Sequence, residues 1–498
     1  MKLPRHEFKK AWEIREALNS GKTTSERVTG EYLERVNSDK SNSYITVTHD
    51  DALKAARLAD TERAQGKVAS RIAGIPIGLK DILLTKGVRT TCGSKVLENY
   101  VAPYDGTVVS RLKEARAVSL GKLNMDEFAM GSSGENSAFG KTLLPFAPDH
   151  VPGGSSSGSA ASVAGNLAVM SIGTDTGGSV RQPASFSGVV GLKPTYGRVS
   201  RYGVIAFASS LDQVGPVALD AQDTADFMDS FQGYDEWDAT SSSRPVEALG
   251  LAVEKIRLDK SLREGFLKKL RVGVPREFFA VGLNSGVREK VEGAIESLKR
   301  AGAEIIPVDL PHSKYSLSVY YVVAVSEASA NLARFDGVRF GTRRMPDADR
   351  TTLEEMYEST RGDLFGKEVK RRILLGTFTL SAGYYDAYYR KACQVRNLIS
   401  QDFAKAFAKC DFLIGPTTPT VSFPIGGGGK KDDPVTMYLN DIYTVPVNLA
   451  GLPALSLPWG FSDGLPVGVQ LIGPAFSEAT LLRATAALEI LHDAGGVA

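Results

Sequence analysis

Apolar positions recur with a helical period near the N-terminus. Phe8, Ala11, Trp12 and Leu18 fall on one face, and Ser20-Gly21 interrupts the pattern. Val28, Tyr32 and Val36 make a second stripe behind Thr24-Ser25, which can cap it. These stripes predict an N-terminal helical segment over residues 1–70, packed on a main body over 71–492. From Gly74 the period changes. Gly74-Ile-Pro-Ile-Gly-Leu-Lys-Asp81 is a short apolar run closed by charge, the pattern of a buried strand. Asp105 is placed to cap a helix carrying Val108, Val109 and Leu112, and Ala117-Val-Ser-Leu120 follows as a strand. Arg271-Val-Gly-Val-Pro275 predicts another strand, then a helix with Val287, Val291, Ile295 and Leu298, ended by Gly302, and a strand over Glu304–Val308. Ala454–Pro458 and Val467–Ile472 flank Ser462-Asp-Gly464, two strands joined by a turn, and a last helix starts at Ser477 with Leu481, Leu482 and Leu488. Strands alternating with helices predict a single large α/β domain, its central mixed sheet covered by helices on both faces. The polar stretch near 232–262 reads as a surface excursion, and Gly426–Gly429 with Lys430-Lys-Asp-Asp-Pro434 as a flexible loop without a phosphate-binding motif.

Composition narrows the classes. The 498 residues carry a formal charge of only +2, so there is no basic footprint for gripping nucleic acid. No apolar run approaches the roughly eighteen residues of a membrane span. The N-terminus lacks the apolar core of a secretory signal, and a cytoplasmic protein with no membrane contact is expected. The three cysteines and five histidines are widely spaced, with no C-x-x-C or H-x-x-x-H, so neither a metal site nor a disulfide framework is expected.

The unusual chemistry lies in Val151-Pro-Gly-Gly-Ser-Ser-Ser-Gly-Ser-Ala-Ala-Ser162 and, beyond a segment that fits a helix and a strand, Gly173-Thr-Asp-Thr-Gly-Gly-Ser-Val-Arg181. Glycines beside serines let a backbone pass close to a ligand with its N–H groups turned inward, as an acyl-transfer enzyme needs for a developing oxyanion. A serine nucleophile also needs a base. Only His150 lies near these loops, whereas Lys80, ending an apolar run, could serve if burial depresses its pKa. Two other patterns compete. Gly154-Ser-Ser156-Ser-Gly158 fits G-x-S-x-G but follows Pro152-Gly153 rather than a strand, and the downstream His312 and His492 lack supporting context. S-x-x-K occurs at Ser110/Lys113 and Ser119/Lys122 without its companion motifs.

Gly74–Asp81, Gly153–Ser159, Gly173–Ala184 and Gly188-Val-Val-Gly-Leu-Lys-Pro-Thr195, in this order, resemble the amidase signature family. Gly121-Lys-Leu-Asn-Met-Asp-Glu-Phe-Ala-Met-Gly131, Tyr196–Gly203, Ser209–Pro216, Ser326–Asp336, Gly366–Arg372 and Gly383–Tyr389 further resemble the A subunits of the aspartyl/glutamyl-tRNA amidotransferases within it. The resemblance implies a Ser–cis-Ser–Lys triad: Ser179 as nucleophile, Ser155 as the bridging serine and Lys80 as base. It implies an oxyanion hole from backbone N–H groups at Thr176, Gly177 and Gly178 through to Ser179, worth about 3–4 kcal/mol per donor. Glutamine is the implied amide donor, held by Tyr320, Arg372 and Asp441. The ammonia would pass to B and C subunits of a heterotrimer. That complex uses ATP and Mg, bound on the partner, to amidate Glu-tRNA(Gln) or Asp-tRNA(Asn); no cofactor is implied on this chain. Ser157 and Ser162 depart from the glycine and alanine commoner in the family. The alternatives are a free-standing amidase acting on a small aliphatic or aryl amide, and a non-enzymatic binding protein on the same scaffold.

Overall fold

The structure is a computed structural model and describes residues 10–280, 282–347, 350–427 and 437–494. Its core is one mixed sheet of eleven strands: β1 (Tyr44–Val47), β2 (Pro76–Lys80), β3 (Val118–Leu123), β4 (Met170–Asp175), β5 (Val190–Lys193), β6 (Gln213–Ala218), β7 (Arg271–Pro275), β8 (Glu304–Val308), β9 (Phe412–Pro416), β10 (Ala454–Ser462) and β11 (Leu465–Ile472). Their spatial order is β1-β3-β2-β4-β6-β5-β10-β11-β9-β7-β8. Parallel pairs (β3/β2/β4 and β9/β7/β8) lie toward the two wings, and antiparallel pairs join them through the middle. Every residue of β2, β4, β5, β6, β9 and β11 is buried. That requires cover on both faces, which the helices supply.

Local chemistry accounts for many element ends. Thr24 accepts the Arg27 N–H and caps Ser25–Asn37, which buries Val28, Tyr32, Leu33 and Val36. The turn between β10 and β11 is Asp463-Gly464 with φ of 52° and 78°, the two left-handed residues that a tight hairpin requires. The last helix runs Glu478–Ala494. None of the described helices is long and apolar enough to cross a membrane.

Asp105 and the 232–262 excursion differ from expectation, and parts of two other segments lie outside the described residues. Asp105 does not cap the helix Thr107–Glu114; Gly106 occupies that position, and the Asp105 carboxylate is taken by Lys86 N–H and the Lys113 ammonium. The first helix is Ala11–Asn19, buried through Ala11, Ile14 and Leu18, and Phe8 lies outside the described residues. The excursion is shorter than 232–262. The helix Leu249–Leu258 buries Leu249, Val253 and Ile256, and its backbone N–H groups at Leu249 and Gly250 donate to Asp229. Of the glycine loop, only Gly426 and Gly427 are among the described residues.

Candidate active site

Lys80 ends β2, where Leu79 pairs with Ile172 of the parallel neighbour β4. The lysine therefore projects toward Thr174 and the turn that follows β4. The carboxyl ends of parallel strands are where open α/β sheets place their ligands. Gly173 is required there, because a Cβ would stand 2.8 Å from Ser156 Oγ and 2.9 Å from Val180 Cγ2.

The two serine-bearing loops close over this strand edge. The Gly154–Ser155 peptide is cis. Lys80 Nζ donates to Ser155 Oγ at 2.8 Å, Ser156 Oγ at 2.9 Å and Thr174 Oγ1 at 2.9 Å. Lys80, Ser155 and Ser156 are fully buried. Burial pushes the Lys80 ammonium down to about 7, opposed by the charges of Asp126, Asp175 and Asp212. A lysine so tuned can be neutral and basic near physiological pH.

Ser156, the middle serine of the G-x-S-x-G pattern, is saturated. Its hydroxyl donates to Thr174 O and accepts from both Lys80 and Thr174 N–H. It positions the lysine and is not available to attack. None of the described histidines bonds to this cluster: His150 pairs with Asp149, His312 with Asp402, and His492 meets Trp459 edge-to-face. Of the S-x-x-K lysines, Lys113 pairs with Asp105 at the surface and Lys122 is buried against Asp81, Leu83 O and Thr90.

Ser179 is the least buried of the three triad residues, and among the described residues its hydroxyl has no hydrogen-bond partner. Ser156 N–H donates to Ser179 O at 3.2 Å, which ties the nucleophile turn to the residue after Ser155. The turn is built on Asp175. Its carboxylate accepts from Gly178 N–H at 2.9 Å and Val180 N–H at 3.2 Å, and forms a buried ion pair with Arg181. Arg181 in turn holds Gln470 Oε1, Asn448 Oδ1 and Thr444 O. This guanidinium holds the Asp175 carboxyl well below the usual range against the opposing effect of burial.

The Gly178 N–H is thus committed to Asp175, which corrects its expected place among the oxyanion donors. Thr176, Gly177 and Ser179 N–H groups donate to no described residue. Removing one partner of a buried ion pair strands the other charge. Asp175→Ala is therefore expected to destabilise the fold by about 3–5 kcal/mol, read as a lowered urea midpoint, with Asp175→Asn losing less.

Of the remaining predicted residues, Tyr320 and Asp441 are tied to the same turn, and Arg372 lies beyond them. Gly177 leaves room for the Tyr320 ring: a Cβ there would lie 2.7 Å from Tyr320 Cζ. Thr444 Oγ1 donates to Gly177 O at 2.7 Å and Asp441 O at 3.1 Å, linking the Asp441 backbone to the nucleophile turn. Arg372 is buried, donates to Glu368 Oε1 and Gly131 O, and lies over the rings of Phe207, Tyr321 and Tyr438. Asp441 is buried too. Its Oδ2 accepts from Ser132 Oγ at 2.8 Å, while its Oδ1 has no partner among the described residues. Burial pushes its carboxyl up to about 7. A buried carboxylate oxygen left unpaired is costly unless a ligand's donor completes it.

Sequence reading missed Ser132, Asp126, Thr174, Asp175, Arg181 and Gln182, and met Ser156 only as a competing nucleophile. Gln182 accepts from Gly154 N–H and donates to Ser132 O, joining the cis-serine loop to the residue that holds Asp441. The one available signal was Asp175 and Arg181, opposite charges bracketing a Gly-Gly-Ser turn. The departures are accommodated: Ser157 Oγ bonds Thr142 Oγ1, and Ser162 Oγ bonds Ser159 O.

A family model described as Amidase matches residues 27–482. The chain is 52% identical to the glutamyl-tRNA(Gln) amidotransferase A subunit of Moorella thermoacetica, over 96% of each chain. It is 54% identical to the corresponding A subunit of Thioalkalivibrio sulfidiphilus, over 94% of each. Among solved structures it resembles the A subunit of the Thermotoga maritima amidotransferase (41% identity, TM-score 0.75, covering 96% of this chain and 92% of that one). It also resembles the peptide amidase of Stenotrophomonas maltophilia (31% identity, TM-score 0.81, covering 99% and 98%).

Proposed function

The chain belongs to the amidase family, and from that premise we propose that it is the glutamine-hydrolysing, ammonia-supplying subunit of a tRNA-dependent amidotransferase. Backbone similarity does not discriminate within the family, since the peptide amidase superposes at least as well as the Thermotoga maritima protein. Sequence identity above one half over nearly the full length supports the amidotransferase reading. The observation that carries the substrate is two buried side chains of opposite charge: Arg372, which is paired with Glu368, and Asp441, whose backbone Thr444 links to Ser179's turn. Free glutamine offers an α-carboxylate for the guanidinium and an α-ammonium for the unpaired Asp441 Oδ1. A simple amide offers neither.

With glutamine so held, Ser179 Oγ attacks the side-chain amide carbon. Its proton passes to Ser155, whose own proton passes to neutral Lys80. The N–H groups of Thr176, Gly177 and Ser179 stabilise the oxyanion. As the C–N bond breaks, the same path returns the proton to the departing ammonia, leaving a glutamyl ester on Ser179. Water, activated by the same relay, attacks the ester and releases glutamate. The ammonia passes to the B and C partner subunits in the cytoplasm, where ATP-activated Glu-tRNA(Gln), or Asp-tRNA(Asn), accepts it; ATP and Mg belong to the partner.

Arg372→Met and Asp441→Asn are each expected to raise KM for glutamine by about 10- to 100-fold, with kcat lowered less. Steady-state ammonia release checks this. The assembly is tested by co-purification of the B and C subunits with this chain, followed by ammonia release with glutamine, with and without mischarged tRNA. Stable association and tRNA-dependent amide formation are expected. A lone chain that hydrolyses small amides and ignores glutamine would overturn the reading.

A further inference from the structure

Asp126 lies outside the triad and, among the described residues, forms no hydrogen bond with the glutamine-holding side chains, yet the site is built against it. It is fully buried. Its backbone N–H donates to Ser155 O at 3.2 Å. Its carboxylate accepts from Gly134 N–H at 3.0 Å and Asn136 N–H at 2.9 Å. The same carboxylate presses on Gly154, where a Cβ would stand 2.0 Å from Asp126 Oδ2, and on Gly131, where it would stand 1.8 Å away. Both its main chain and its side chain therefore bracket the Gly154-Ser155 unit that receives Lys80.

The charge arrangement singles it out as well. Three carboxylates act on Lys80: Asp126, Asp175 and Asp212, with the Cys92 thiol a lesser neighbour. Asp175 is neutralised by its ion pair with Arg181. Asp212 is held by Thr176 Oγ1 and by the N–H groups of Phe207 and Ala208, and is further stabilised by the charge of Arg201. Asp126 forms no ion pair among the described residues. Burial pushes its carboxyl up to about 6, the Asn136 and Gly134 N–H groups oppose this, and the cation acting on it is Lys80 itself, with Glu135 adding to the rise.

We propose that Asp126 is a positioning residue for the triad: it fixes the Ser155 loop and supplies the counter-charge that stabilises Lys80 after it takes the proton from Ser155. This rests on the Lys80–Ser155–Ser179 reading. Only neutral Lys80 can accept the proton, so activity at saturating glutamine rises with pH as Lys80 deprotonates. A carboxylate nearby favours the protonated lysine and sets that rise at higher pH; removing the charge moves it to lower pH.

The test is the pH profile of kcat at saturating glutamine for Asp126→Asn and Asp126→Ser, with Lys80→Ala run beside them. In both Asp126 variants the acid limb is expected to move down by about one pH unit, while the plateau falls by about tenfold or more as proton uptake becomes less favourable. A lowered plateau with an unmoved acid limb would leave Asp126 a purely structural role and overturn the proposal. So would loss of the fold in both variants. Full activity in Lys80→Ala would instead remove the triad reading itself.

Discussion

Ser179→Ala is expected to reduce ammonia release from glutamine by at least about 10⁴-fold without lowering the melting temperature. The magnitude follows from removing the only atom that forms the acyl bond, in a site whose remaining donors can stabilise an oxyanion but cannot attack. The unchanged stability follows from the structure, because Ser179 is partly exposed and its hydroxyl bonds to no described residue. The backbone contacts of the turn, through Asp175 and Ser156, survive the substitution. Glutamine affinity should persist, since Tyr320, Arg372 and Asp441 are untouched, and isothermal titration with the inactive variant measures it. Retention of near-full hydrolysis would remove Ser179 as the nucleophile.

Lys80→Ala is expected to cost about 10³- to 10⁴-fold in kcat, comparable to Ser179→Ala, because residues that act as one relay do not contribute additively. Here some loss of stability is also expected. The substitution leaves a cavity and strips Ser155, Ser156 and Thr174 of a shared donor. Lys80→Met fills most of the volume and separates the chemical effect from the packing effect. The wild-type pH profile carries the same assignment. With Lys80 held down to about 7, the base is neutral above that value, so kcat climbs as pH rises through about 7 and is lost below it. The same window governs glutamine binding, because Asp441, pushed up to about 7, must ionise to hold the α-ammonium. KM should accordingly fall as pH rises through this range, and kcat/KM should show a steeper acid limb than kcat.

Much of the local structure was legible because it is local. The apolar run closed by Lys80, the β7–helix–β8 sequence of strand, periodic helix and Gly302, and the Asp463-Gly464 hairpin each announce themselves through period or turn chemistry. The order of the sheet was not legible. Pairings such as β2 with β4 and β4 with β6 place the site strand, and no spacing along the chain encodes them. β6 itself, Gln213–Ala218, carries a glycine and a proline and gives no clear strand signal.

The chemistry divides in the same way. The serine loops and Lys80 could be argued from composition and strand position. Arg372 and Asp441 alone would read as a helix surface charge and a loop acid, and only resemblance singled them out. Their burial, and the unpaired Asp441 Oδ1, belong to contacts between segments hundreds of residues apart, such as Ser132 with Asp441. The Gly178 N–H shows the opposite failure. Resemblance placed it in the oxyanion hole, but the Asp175 carboxylate claims it in this structure.

Hydrolysis of glutamine is expected to proceed through an ester on Ser179. This is tested most directly by labelling the chain with an electrophilic glutamine analogue and locating the adduct by peptide mass mapping, with and without competing glutamine. A single adduct is expected on the peptide bearing Ser179, suppressed by glutamine and absent from Lys80→Met. An adduct on another residue, such as the partly exposed Cys393, or labelling that glutamine does not slow, would contradict it.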